Sequence, residues 1–78
     1  MTTIHLNSGE ATDLLIAHLR EQGQFAVEHV GINTIRVSLL GSYSADAMRL
    51  AIYLRLRAWE AAERAQGNDV RLVFEDPS

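Results

Sequence analysis

The chain has no cysteine and no lysine, one proline and one tryptophan among its 78 residues. Without cysteine there are no disulfides, no thiolate metal ligands and no cysteine nucleophile. Without lysine there is no P-loop lysine and no Schiff-base chemistry. All seven basic residues are therefore arginine. No apolar run approaches the roughly 20 residues that a membrane-spanning helix needs. The start, Met1-Thr2-Thr3-Ile4-His5, lacks the basic residues that open a signal peptide, so a cytoplasmic location is expected.

What is present is an ordinary globular mixture, 47% hydrophobic and 22% charged, in a length that makes one domain, residues 1–78. A chain this short buries only about 60–65% of the surface its unfolded form exposes, so its core is small. The net charge of −3 is unevenly spread: residues 1–33 balance to −3, residues 34–66 to +2 and residues 67–78 to −2. Direct nucleic-acid binding calls for clustered cations and is not expected. An acidic first half and tail suit either solubility or a basic protein partner.

Hydrophobic periodicity predicts six elements. Thr3 to Leu6 alternates as a short strand. Asn7 or Ser8 caps a helix that runs to Gln22 and stops at Gly23, with Glu10 three residues after Asn7 in the manner of a capping box. Ala11, Leu14, Leu15, His18 and Leu19 form its apolar side, and Ile16 fits neither side. Phe25–Val30 and Thr34–Leu40 read as strands joined through Gly31-Ile32-Asn33, with Ile35, Val37 and Leu39 inward. Ser44 caps a long second helix ending at Gly67-Asn68. Val70, Leu72 and Phe74 alternate in a last strand before Pro77. The order β-α-β-β-α-β predicts an α+β domain: a four-stranded antiparallel sheet with both helices on one face, ferredoxin-like or a variant of it, with strands 1 and 3 central.

The long helix shows two apolar facets. Ala47, Leu50, Ala51, Leu54, Ala58, Ala61 and Ala65 make one; Met48, Ile52, Leu56 and Trp59 make the other, and Arg55 lies between them. One facet is needed for the core. The other either packs on the first helix or forms a partner surface anchored by Trp59 and Arg55. Arg57–Glu60 and Glu60–Arg64 are spaced as helix-surface ion pairs.

No catalytic constellation is apparent. His5, His18 and His29 have no metal-ligand spacing, Gly41-Ser42-Tyr43-Ser44 is not a nucleophile elbow, and adjacent carboxylates occur only at Glu75-Asp76. Asn7-Ser8-Gly9 is a weak anion-loop signal and slightly resembles the turn of ACT-type regulatory domains, although their proline is absent. The third strand, Thr34 to Leu40, lacks the aromatics of an RNA-recognition motif. No metal and no cofactor are expected, and the chain is read as a non-enzyme.

In size, acidity and freedom from enzymatic motifs, the whole chain resembles the small phage-encoded anti-CRISPR proteins. That resemblance implies an inhibitor that acts in the cytoplasm of a bacterial host and occupies the basic DNA-binding surface of a CRISPR-Cas effector subunit. The partner-binding residues would be Glu10, Asp13, Glu21, Glu28, Asp69, Glu75 and Asp76. A monomer, with no membrane association, is the expected state. The alternative is a self-associating regulatory or small-ligand-binding domain of ACT-like type.

Overall fold

The computed structural model describes residues 2–41 and 44–75. The element order is β1 (Thr2–Leu6), α1 (Gly9–Gln22), β2 (Phe25–Gly31), β3 (Thr34–Leu39), α2 (Ala45–Ala65) and β4 (Leu72–Glu75). The strands form one sheet in the order β2-β3-β1-β4, and every neighbouring pair is antiparallel. This is the ferredoxin-like arrangement, with β1 and β3 central as the sequence predicts. Met1, Ser42, Tyr43, Asp76 and Pro77 lie outside the described residues.

One face of the sheet supplies the core. Ile4 and Leu6 of β1, Ile35, Val37 and Leu39 of β3, Phe25 of β2 and Leu72 of β4 are buried, together with Leu15 and Leu19 of α1 and Ile52, Leu56 and Trp59 of α2. Strict alternation places Thr3, His5, Glu28, Arg36, Val73 and Glu75 on the other face. Both helices therefore lie on the same side, and the second face is open.

Local chemistry sets the element ends. Ser8 is extended, and its Oγ accepts from Ala11 N–H at 3.1 Å; Ser44 does the same for Ala47 N–H. The cap of α1 is thus Ser8, which puts Ala11 at the third helical position, so Asn7 and Glu10 do not form the predicted capping box. Asn7 ties the C-terminal loop down instead: its amide donates to Asp69 O and its Oδ1 accepts from Arg71 N–H. Those bonds hold the segment before β4, which explains why the ladder begins at Leu72 although Val70 is already buried. Gly23 ends α1 at φ 71°, where a side chain would be strained. Gly67, at φ 92°, ends α2 with Asn68 N–H on Glu63 O and Gly67 N–H on Arg64 O, a Schellman closure.

Within α1 the buried set differs from the sequence prediction at three positions. Leu14 is 41% exposed, whereas Thr12 is buried and Ile16 packs partly against the core. Thr12 tolerates burial because its hydroxyl donates to Ser8 O at 2.8 Å. Replacing Leu15, which has no exposed surface, with alanine is expected to cost about 2–5 kcal/mol in urea denaturation. A cost near that of an exposed site such as Leu14→Ala would contradict this core assignment.

Candidate functional site

The second helix is turned in a way its sequence does not announce. Ile52, Leu56 and Trp59 point into the core, with Met48 and Ala51 packed against its edge. Trp59 is consequently a core residue; its indole stacks on His18 of α1, ring centroids 5.9 Å apart. The other apolar facet is left in solvent: Leu50 is 59% and Leu54 58% exposed, and Ala47, Ala58, Ala61 and Ala65 are exposed beside them. This facet does not pack on α1. The helix α1 spans 14 residues and α2 spans 21, and α2 reaches past the end of α1, where Arg55 Nη1 meets Gln24 Oε1. Arg55 also lies 5.8 Å over the Phe25 ring.

The roll of α2 is fixed by its polar strip. Glu60 is buried, only 9% exposed, and its Oε2 accepts from Leu72 N–H at 2.7 Å. Arg57 Nη1 donates to Glu60 Oε1 at 2.9 Å and to Leu72 O at 3.2 Å. Its guanidinium carbon lies 4.9 Å over Phe74 and 5.3 Å over Tyr53. The hydrogen bond to Glu60 raises the Arg57 pKa above its ordinary value, so the guanidinium stays charged through the alkaline range. Together these two side chains satisfy one outward-facing N–H and C=O of edge strand β4, the pair that an additional strand would otherwise bond. The i,i+3 spacing is legible in the sequence as a surface pair; its burial against a strand is not. Between α2 and β4 opens a groove of about 550 Å³, walled by Leu50, Tyr53, Arg57, Leu72 and Phe74.

The structure distributes six of the seven carboxylates proposed from sequence over separate surfaces. Glu10, Asp13 and Glu21 are exposed on the outer side of α1. Asp69 joins Glu10 at the rim of a cleft that also includes Asn7 and Leu14. Glu28 and Glu75 lie on the open sheet face, on the two edge strands. There Glu28 is opposite Arg36, and Glu75 lies 3.7 Å from His5 Nε2. Asp76 is outside the described residues. Glu10 and Asp69 share that cleft, Asp13 and Glu21 lie further along the outer side of α1, and Glu28 and Glu75 face another direction.

Of the three histidines, His5 bonds Thr34 Oγ1 at 3.1 Å, His18 stacks on Trp59 and His29 is exposed near the end of β2. Among the described residues no three of histidine, cysteine, aspartate and glutamate are grouped to hold a metal ion, and no helix is long and apolar enough to cross a membrane.

Removing the Glu60 carboxylate strands a buried N–H and a half-buried guanidinium at once. Glu60→Ala is expected to lower stability by about 2 kcal/mol and to accelerate hydrogen exchange at the Leu72 amide. Glu60→Gln retains an acceptor and is expected to lose less. Equal exchange at Leu72 in the wild type and in Glu60→Ala would show that the carboxylate does not hold that amide.

Compared with protein-family models, with curated proteins and with solved structures, the chain matches none.

Proposed function

We propose that this chain is a non-enzymatic protein-binding domain that docks through the solvent side of α2. The observation that carries this reading is the pair Leu50 and Leu54, each more than half exposed one helical turn apart, on a helix whose opposite side already completes the core. Burying the remaining exposed surface of two such side chains on a partner is favourable by about 1–2 kcal/mol each. The intervening alanines allow close approach of a second backbone. Arg64 and Asp46 border the facet on one flank and Arg55 on the other, while the charge of Arg57 is already matched by Glu60. The partner surface that fits is accordingly an apolar strip with polar edges.

The test compares capture from host lysate by the wild-type chain and by Leu54→Asp, followed by direct titration of the purified captured protein. The expected result is binding weakened at least about tenfold with an unchanged melting temperature. Equal affinity for the two forms contradicts the reading.

A second reading rests on Glu10, Asp13 and Glu21, which are exposed on one helix and have no ion-pair partner among the described residues. In it, α1 occupies a basic surface on a larger protein, as the resemblance to anti-CRISPR inhibitors implies, with a CRISPR-Cas effector subunit as the target. Reversing the three carboxylates to arginine is then expected to abolish binding of the captured partner while leaving the circular dichroism spectrum intact. Undiminished binding by the triple variant rules this mode out.

A further inference from the structure

The two edges of the sheet are treated differently. On β4 the outward N–H and C=O of Leu72 are taken by Glu60 and Arg57. On β2 no such cover exists among the described residues. Leu40 N–H donates to Gln24 O at 2.8 Å, so the even-numbered residues Gln24, Ala26 and Glu28 turn their backbone groups toward β3. By the alternation of an antiparallel ladder, Phe25, Val27 and His29 turn theirs outward. The register is regular from Phe25 to His29, and the irregularity comes only between His29 and Gly31. β2 therefore offers five residues of unbroken open edge centred on Val27.

We infer that β2 pairs antiparallel with β2 of a second copy of this chain about a two-fold axis through Val27, joining two sheets into one of eight strands. This inference is independent of the docking role given to α2. Three features of the edge make it self-complementary.

In that register Val27 meets Val27 of the partner copy, and Phe25 meets its His29, both on the helix side. On the open face Glu28 meets Ala26 rather than another Glu28. No like charges are placed directly opposite.

Next, α1 brings a matching flank to the same axis. His18 faces α2 through its stacking on Trp59, and Ile16, 200° around the helix from His18, lies on the flank toward β2. From the Gly23–Gln24 turn, Ile16 is about 11 Å back along the helix at about 1.5 Å per residue. Val27 is about 11 Å along the strand at about 3.3 Å per residue. The two half-buried side chains are thus level, and the axis through Val27 passes close to Ile16.

Last, Asp13 and Arg20 stand on that same flank of α1, seven positions apart on either side of the Ile16–Ala17 midpoint, and neither has an ion-pair partner among the described residues. A two-fold at that midpoint sets Asp13 of each copy against Arg20 of the other. The contact is self-matching in backbone, apolar and charged groups together.

The interface is small, and a dimer dissociating in the micromolar range is expected. Sedimentation velocity of the full chain over a concentration series tests this. The wild type is expected to shift from monomer to dimer. Val27→Pro removes an outward N–H that bonds nothing within the chain, and a proline is tolerated at such an edge position; it is expected to remain monomeric with its circular dichroism retained. Asp13→Arg alone is expected to weaken the dimer at least tenfold, and Asp13→Arg with Arg20→Asp to restore it. A wild type that stays monomeric into the millimolar range overturns the inference. So does a dimer that is unaffected by both Val27→Pro and Asp13→Arg, or a double swap that fails to recover association while each chain remains folded.

Discussion

The contact on which this structure turns is small: Glu60 and Arg57 of α2 holding the backbone of Leu72. A helix packed on a sheet by apolar contacts alone has some freedom of roll, because several apolar residues can exchange places against a flat surface. A buried carboxylate removes that freedom. Its cost of desolvation is offset only where Leu72 N–H and the Arg57 guanidinium are both in reach. Once Glu60 faces β4, helical geometry places Ile52, Leu56 and Trp59 in the core and turns Leu50 and Leu54 to solvent. The same contact covers part of one sheet edge. It thereby leaves β2 as the edge with its backbone groups free, so the roll of one helix and the choice of sheet edge have a common origin.

The acidic character of the chain takes on a different meaning in three dimensions. A net charge of −3 with acids in the first half suggests one acidic surface. The fold divides those acids between the outer side of α1, the cleft near Asn7 and the open sheet face. Opposite signs are interleaved on the open face, where Glu28, Arg36, Thr3 and Glu75 form a row across the four strands. Such a face is well solvated and balanced in charge. The concentrated apolar surface on α2 is the less usual feature for a domain of this size.

Much of the architecture is legible in the residues. Alternation gives the strands, Ser8 and Ser44 the helix starts, Gly23 and Gly67 the stops, and the element order gives the sheet with its central and edge strands. Those signals are local, and each rests on backbone chemistry that neighbouring residues supply. What escapes the sequence is the roll of α2. Its two apolar facets are similar in width, and nothing within the helix distinguishes the facet with Leu50 from the facet with Trp59. The deciding groups are on Leu72, outside the helix, and they are backbone groups that every residue carries. For the same reason Glu60 reads as half of a surface pair. Thr12 and Leu14 exchange roles because burial of a threonine depends on a hydroxyl finding Ser8 O, which periodicity does not register. The edge geometry of β2 likewise needs the phase of its ladder with β3, which the bond from Leu40 N–H to Gln24 O displays.

Because the chain contains no cysteine, single cysteines report solvent access along α2 without background. The most direct measurement is the rate of thiol alkylation in the native state for Leu50→Cys, Leu54→Cys, Ile52→Cys and Leu56→Cys. Rapid labelling is expected at positions 50 and 54, and labelling at 52 and 56 only as fast as the domain unfolds. Protection at 50 and 54 with rapid labelling at 52 and 56 would mean that α2 is rolled the other way, and the exposed facet would not exist.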